Sequence, residues 1–186
     1  MPAGKIRVRK MEKRDISATA SLENRAFDES WSATVFKSEF ERNRLAHYFV
    51  AETNGHGGRG RILGFAGLWA MVNQAHVVAV GVEPHERRRG LARLLVCRLL
   101  QYARELGMAD ATLECRRSNE PARRLYRQFG FCEVGERKRY YRDGEDAVIM
   151  TTEDPTSEGV VRRFQGQLEL ATADFPGALL PGGDPG

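Results

Sequence analysis

The feature that most constrains the fold is a pair of apolar runs in the middle of the chain. Residues 62–71 read ILGFAGLWAM, and residues 75–82 read AHVVAVGV. Nearly continuous hydrophobic runs of this length, with short turns beside them, are typical of strands buried on both faces of a sheet. The two runs therefore predict central strands in a mixed α/β chain.

Strand-like and helix-like patterns follow one another along the rest of residues 5–152. Short alternating or apolar runs predict strands, and helical spacing next to capping signals predicts helices. The further predicted strands are 5–9, 47–52, 111–115, and a hairpin of 131–141 and 146–152 around RDGE. The predicted helices are 15–27 with Asp15 as N-cap, 32–42 with Ser32 as N-cap, one from Gly90 to Gly107, and one from Asn119 to Phe129.

Length and composition limit the class of protein. The chain has 186 residues, of which 41% are hydrophobic and 29% charged, as expected for one globular domain. No apolar run could span a bilayer, and the N-terminus lacks the apolar segment of a signal peptide, so we expect a cytoplasmic protein. We expect one domain over residues 1–153. Residues 154–186 are rich in proline and glycine and predict a mostly flexible tail, with a short helix near 160–170.

Cysteine, histidine and charge exclude several kinds of site. Three scattered cysteines, Cys97, Cys115 and Cys132, are too few for a disulfide framework and predict reduced thiols. The four histidines have no metal-binding spacing, so no metal is expected. A net charge of +4 permits binding to polyanions but does not argue for it.

The stretch EPHERRRG before the long helix carries the first chemical signal. A strand, a glycine-containing loop and a helix N-terminus form a common phosphate site, because the first helical N–H groups lack internal partners. Arg87, Arg88, Arg89 and Arg93 surround Gly90. Cations are unfavourable at the positive end of a helix dipole, so their crowding predicts a bound anion, although solvated surface arginines are the alternative. The stretch is neither a GxGxxG nor a Walker motif.

Three segments resemble the GNAT superfamily of N-acetyltransferases. RRRGLA resembles the superfamily's R/Q-x-x-G-x-G/A loop, and AHVVAVGVEP its central strand. NEPARRLYRQFGF, residues 119–131, fits the pattern N-x-x-A-x-x-L-Y-x-x-x-G-F. LECRRSNEPARRLYRQFGF, RKRYY and DAVIM are most similar to the RimI-type ribosomal-protein alanine N-acetyltransferases. The resemblance spans roughly residues 5–152 and leaves the tail outside.

This resemblance implies a mixed central sheet of about six to seven strands flanked by about four helices, with acetyl-CoA as cosubstrate. The thioester carbonyl would lie against the backbone of Val80, Gly81 and Val82, where an N–H group polarises it. Asn119 would touch the pantetheine arm or its loop, and it also suits a helix cap. The implied pyrophosphate-binding residues are Arg87, Arg88, Arg89, Gly90, Leu91, Ala92 and Arg93.

The resemblance also implies two catalytic residues. Glu114 matches the general base; alternation places it with Thr112 on the face of its strand opposite Ala111, Leu113 and Cys115. Its alternative role is a surface ion pair with a neighbouring arginine. Tyr126 matches the general acid that protonates the leaving thiolate, and its alternative is an ordinary packed tyrosine.

The implied substrate-binding residues are less uniform. Tyr140 and Tyr141 match an aromatic pair that lines the peptide end of the site. Trp31 follows Ser30 where the family often has proline, and Gln74 stands where it often has an acidic residue. The loop at 53–61 is also longer than usual.

Three functions remain open at this stage. The leading one, which the resemblance implies, is acetylation of a protein N-terminus, a ribosomal protein beginning with alanine above all; the presence of Glu114, Tyr126 and the RKRYY hairpin favours it. The second is acetylation of a lysine or a small-molecule amine. The third, a non-catalytic acyl-CoA-binding module, would be marked by loss of the acid and base, and both are present. Direct binding to nucleic acid or to a membrane is not expected.

Overall fold

A computed structural model describes residues 5–27, 31, 33–53, 60–152 and 157–178, and these form one mixed sheet with helices on both faces. The strands are β1 (Ile6–Lys10), β2 (Ala46–Thr53), β3 (Ile62–Met71), β4 (Gln74–Val82), β5 (Asp110–Arg116), β6 (Phe131–Arg137) and β7 (Ala147–Thr152). The α-helices are α1 (Ile16–Ala26), α2 (Ala33–Arg42), α3 (Leu91–Glu105), α4 (Glu120–Gln128) and α5 (Glu158–Asp174). None of these helices is long and apolar enough to cross a membrane.

The seven strands lie in the order β1-β2-β3-β4-β5-β7-β6. All neighbouring strands are antiparallel except β4 and β5, which run parallel and are connected through α3. The predicted α/β class and strand number are therefore confirmed. The described residues contain five α-helices, and α5 is the one beyond the about four that the resemblance implies.

The parallel pairing of β4 with β5 is short, and this shapes the site. Its register runs from Gln74 opposite Asp110 to Val77 opposite Leu113. Beyond these pairs, β4 continues alongside β3 alone, and β5 continues alongside β7. The two strands therefore separate and leave an opening within the sheet, which we call the β4–β5 gap.

A β-bulge explains why the two strands part at this point. Leu68 of β3 pairs with Val77, but Gly67 pairs with Ala79, so Val78 is an extra residue on β4. A bulge bends its strand and increases the local twist. The bend coincides with the last β4–β5 pair.

Two hydrophobic cores cover the two faces of the sheet. The larger lies beneath α3, α4 and α5 and includes Leu94, Leu99, Phe129 and Met150, each at most 1% exposed. The smaller lies beneath α1 and α2. It is built around an aromatic cluster of Phe36, Tyr48 and Phe65.

The C-terminal end departs most from the sequence prediction. The sequence predicts a short helix near 160–170 in a mostly flexible tail, whereas α5 has 17 residues and packs against α3. Val160, Phe164 and Ala171 are buried because their spacing places them on one face of the helix. The division of the chain at residue 153 stays a prediction.

The last hairpin is also different from the prediction. β6 ends at Arg137, so Tyr140 and Tyr141 lie in the loop between β6 and β7 rather than in a strand. Arg139 has a left-handed backbone (φ 50°), and its N–H donates to Asp146 Oδ1 at 2.9 Å. This turn ends the extended conformation.

Two predicted helix caps have other outcomes. Asp15 directly precedes α1, but its carboxylate accepts from the Glu12 N–H at 2.8 Å and pairs with Arg9 at 2.6 Å. It therefore anchors the start of the chain instead of capping α1. Ser32 lies outside the described residues, as does most of the loop at 53–61.

Candidate active site

The β4–β5 gap carries different side chains on the two faces of the sheet. Cys115 of β5, Val77 of β4 and Tyr126 of α4 belong to the core beneath α3 and α4. Glu114 and His76 are sequence neighbours of Cys115 and Val77, so strand alternation places both on the opposite face. The alternation predicted for β5 is confirmed by its burial pattern.

Glu114 is held between an imidazole and a guanidinium group. Its Oε2 lies 3.1 Å from His76 Nε2, and its Oε1 accepts from Arg137 Nε at 3.0 Å. The hydrogen bond from His76, then the nearby charges of His76 and Arg137, lower the pKa of Glu114, although burial opposes them. Glu114 is thus ionised at neutral pH, which is the form that a general base requires.

The ion pairs that were the alternative for Glu114 are not formed. Arg116 pairs with Asp143 and Glu145, and Arg117 pairs with Glu136. Glu114 faces the gap instead of these neighbours, and only 11% of its side chain is exposed.

His76 is the site residue that the sequence analysis missed. Histidines were considered as metal ligands only, although a polar residue inside the apolar run AHVVAVGV was a signal. The His76 ring lies 5.8 Å from the Trp69 ring and stands beside Glu114 on the neighbouring parallel strand. Gln74 lies two residues earlier, at the start of β4, so His76 stands between Gln74 and the gap.

Tyr126 is buried in the opposite face. It is 8% exposed, and its ring lies 5.6 Å from that of Phe131. Burial raises the pKa of the Tyr126 phenol well above its ordinary value of 10, and Cys115 and Tyr141 add to the effect. The phenol is therefore protonated throughout the physiological range, as a general acid must be.

The end of β4 is shaped by close packing. Val80, Gly81 and Val82 pair with β3 and lie beyond the last β4–β5 pair, so their β5 side faces the gap. A Cβ at Gly81 would come within 2.5 Å of Phe65 and 3.2 Å of Phe27. Glycine is required here because these rings press on the strand from the α1 side.

The loop before α3 has the geometry of an anion site. Arg88 and Gly90 both have left-handed backbones, with φ 60° and 86°. Gly90 is the N-cap and has no side chain to cap the N–H groups of Leu91, Ala92 and Arg93. Uncapped N–H groups at the positive end of a 15-residue helix suit a pyrophosphate, so this loop fits the acetyl-CoA that the resemblance implies.

The three arginines of this loop and Arg93, in the first turn of α3, have different surroundings. Arg87 donates to the carbonyl oxygens of Ala26 at 2.9 Å and Val82 at 3.4 Å, so it holds the loop in place. Arg89 pairs with Glu86, which also binds Arg61. Arg93 pairs with Asp174 of α5. Arg88 makes no hydrogen bond or ion pair with any residue that the structure describes.

Asn119 has the structural role that was its alternative. It is the N-cap of α4, and its Oδ1 accepts from the Ala122 N–H at 3.2 Å. This cap fixes the start of the helix that carries Tyr126. Contact between Asn119 and the pantetheine arm stays a prediction.

Three of the four predicted substrate-binding residues, Tyr140, Tyr141 and Trp31, lie in two loops, and the fourth, Gln74, is the first residue of β4. Tyr140 is 51% exposed and packs edge-on against Tyr141, which in turn lies beneath Arg116. Trp31 lies between α1 and α2, where its backbone N–H donates to Glu23 Oε1 at 3.1 Å. Their roles in substrate binding stay predictions.

Comparison with known proteins adds independent findings. A family model described as the acetyltransferase (GNAT) family matches residues 16–131. The chain is 32% identical over 143 residues to the ribosomal protein bS18-alanine N-acetyltransferase of Escherichia coli, covering 75% of this chain and 92% of that protein. It is 34% identical over 143 residues to the N-alpha-acetyltransferase RimI of Mycobacterium tuberculosis, covering 73% and 85%.

A solved structure shows the same similarity in three dimensions. The crystal structure of the ribosomal-protein-S18-alanine N-acetyltransferase from Escherichia coli superposes with a TM-score of 0.71. The identity is 31%, over 79% of this chain and 92% of that one.

Proposed function

This chain belongs to the acetyltransferase (GNAT) family, and we propose that it moves the acetyl group of acetyl-CoA to the N-terminal amine of a protein. The observation that carries the proposal is the β4–β5 gap. An ionised carboxylate lies on one face of this gap and a protonated phenol on the other, and an uncapped helix N-terminus lies at the end of β4.

On one face, Glu114 prepares the amine. An α-ammonium with a pKa near 8 is largely protonated at pH 7 and must lose a proton before it can attack. Glu114 accepts this proton directly or through one water, and His76 and Arg137 keep the carboxylate ionised and oriented.

On the other face, the residues of α3, α4 and β4 serve the donor. Acetyl-CoA supplies an activated acetyl thioester. The N–H groups of Leu91, Ala92 and Arg93 bind the pyrophosphate, and the backbone of β4 beyond Val77 polarises the thioester carbonyl. As the new C–N bond forms and the C–S bond breaks, Tyr126 donates its proton to the departing sulfur, the nitrogen releases its second proton to water, and the phenol regains a proton from water.

The substrate class rests on the relatives. Two curated relatives at 32% and 34% identity are an alanine N-acetyltransferase of a ribosomal protein and an N-alpha-acetyltransferase. The exposed Tyr140, near the Glu114–Arg137 pair, offers an aromatic surface to a peptide chain. A ribosomal protein that begins with alanine is therefore the leading substrate.

A mass-spectrometric assay with a peptide panel tests the proposal. Purified protein and acetyl-CoA are given peptides that begin with alanine, serine or methionine, a blocked peptide with one free lysine, and spermidine. We expect acetylation of the free α-amines, best at alanine, and loss of this product in Glu114→Gln. Transfer to lysine or spermidine instead would contradict the substrate, and no transfer would contradict the activity.

A further inference from the structure

The C-terminal helix α5 crosses the outer face of α3 and runs antiparallel to it. Arg93 in the first turn of α3 meets Asp174 at the end of α5, while Arg104 near the end of α3 lies 4.5 Å from the ring of Phe164. The family model ends at residue 131, so α5 lies outside the matched segment.

Arg93 and Asp174 each occupy the unfavourable end of their own helix. A cation at a helix N-terminus and an anion at a helix C-terminus are both repelled by the helix dipole. Packing α5 antiparallel to α3 brings the two charges together, with Arg93 Nη1 3.0 Å from Asp174 Oδ2. A charge placed at the unfavourable end of its helix is an exception to local preference, and such exceptions occur mainly at functional or strained sites.

A second residue of α5 completes the hold on Arg93. Its Nε donates to Gln167 Oε1 at 3.1 Å. Gln167 and Asp174 are seven residues apart and so share one face of α5. Two of the three guanidinium nitrogens of Arg93 are thus fixed from the same helix.

The end of α5 also touches the loop itself. A Cβ placed on Gly90 would lie 2.7 Å from Asp174 Oδ2 and 3.2 Å from the ring of Phe175. The chain beyond is anchored to the sheet edge, because the Ala178 carbonyl accepts from the Val8 N–H at 3.1 Å. The outer wall of the anion loop is therefore formed by this C-terminal segment.

We propose that α5 is part of the cofactor site, with Asp174 as the positioning residue that orients Arg93 at the anion loop. This rests on the proposed function, which assigns the loop to the pyrophosphate of acetyl-CoA. Ordering a free arginine side chain costs conformational entropy, and α5 bears that cost before the cofactor arrives. Asp174 acts through the hydrogen bond that it accepts from Arg93. Its negative charge does not itself favour phosphate binding, because a carboxylate and a phosphate repel each other.

Calorimetric titration of the full-length protein with CoA tests this without a known acceptor. Asp174→Ala should weaken CoA binding about fivefold, the size of one partly exposed pair. Asp174→Asn keeps an acceptor for Arg93 and should bind within about twofold of wild type. Glu169→Ala removes an exposed carboxylate of α5 and should leave affinity unchanged.

A double variant separates positioning from a general effect on α5. In an Arg93→Met background, Asp174→Ala should cause no further loss, because the residue that it orients is gone. Unchanged or tighter CoA binding in Asp174→Ala, or an additive loss in the double variant, would overturn the proposal. Thermal unfolding of each variant checks its fold, and Gln167→Ala, expected to weaken binding about twofold, replaces any variant that does not fold.

Failure of this inference is distinguishable from failure of the proposed function. If the wild-type protein binds CoA and Asp174→Ala binds it equally well, only the role of Asp174 is lost. If the wild-type protein does not bind CoA, the assignment of the loop is wrong and both proposals fall.

Discussion

The two faces of the β4–β5 gap treat their titratable groups in opposite ways. On the α1–α2 face, Glu114 lies between His76 and Arg137, and the hydrogen bond from His76 and the nearby Arg137 lower the pKa of its carboxyl. On the α3–α4 face, Tyr126 lies against Phe131 and Cys115, and burial raises the pKa of its phenol. One face stabilises a charged group, and the other excludes charge.

Under the proposed function, the two faces of one sheet serve the two halves of a group transfer. A base is useful only when ionised and an acid only when protonated, so the two require opposite environments. Placing them on opposite faces of the sheet provides both environments, although the two residues are only 12 positions apart in the chain. Three substitutions test this contrast, in decreasing order of expected effect.

The largest effect should come from Glu114→Gln, which removes the charge on the polar face. We expect kcat for an alanine-initiated peptide to fall about 100-fold at pH 7, because the bound amine loses its acceptor. The loss should shrink as pH rises through the α-amine pKa near 8, where the amine deprotonates without help. Steady-state rates from pH 6 to 9 measure both effects.

The control for this variant is Glu133→Gln, which alters a surface carboxylate that pairs with Arg123 and Arg127. It should leave kcat unchanged. A Glu114→Gln enzyme with a wild-type rate at every pH would remove Glu114 as the base.

Tyr126→Phe removes a single oxygen atom, the phenol hydroxyl, from the apolar face. We expect kcat to fall about tenfold, a modest loss, because a thiolate with a pKa near 8.5 is already a fair leaving group. Thermal stability should change little, since no described residue accepts a hydrogen bond from this hydroxyl and the ring still packs on Phe131. Rates at saturating substrates measure the loss.

Tyr102→Phe is the matched control. It also removes one phenol hydroxyl, but Tyr102 is on α3 and its hydroxyl contacts His47 of β2. A wild-type rate in Tyr126→Phe would show that the tyrosine serves packing alone. An equal loss in Tyr102→Phe would point to a general effect of removing a phenol.

The smallest effect should come from His76→Ala, which removes the imidazole that hydrogen-bonds to Glu114. His76 is the largest influence that lowers the Glu114 pKa, so its removal should raise that pKa toward or above the usual 4.5. We expect about a threefold loss of kcat at pH 7, because the carboxylate stays ionised but loses one of the two side chains that hydrogen-bond to it. A pH titration of the Glu114 carboxyl carbon by NMR measures the shift.

The linked change in stability has a defined sign. A lowered carboxyl pKa adds stability above its unfolded value, and this stability is lost as pH falls through the folded value. Wild type should therefore lose more stability than His76→Ala on acidification below about pH 4.5. An unchanged Glu114 titration in the variant would show that His76 does not control this carboxylate.

Most of the fold could be predicted because its signals are local. The apolar runs of β3 and β4, the glycine after α3 and the Asn119 cap each act within a few residues. The docking of α5 was not predicted, since the stripe of Val160, Phe164 and Ala171 is sparse and lies between segments rich in proline and glycine. This apolar face of α5 is buried because α3 packs against it.

The site followed the same division. Glu114 and Tyr126 were predicted from a family pattern, and the structure places them on the two faces of one gap. His76 and Asp174 were missed because their partners, Glu114 and Arg93, are 38 and 81 residues away in the chain. Spacing within a sequence does not show contacts between a strand and its neighbour or between two packed helices.

α5 is also a rigid rod of about 25 Å, from its 17 residues at 1.5 Å each. One end lies on the anion loop at Gly90, and the other lies on Gly130, at the end of the helix that carries Tyr126. The loop before α3 and the end of the helix that carries Tyr126 are therefore both in contact with a single helix, near opposite ends of its axis of about 25 Å.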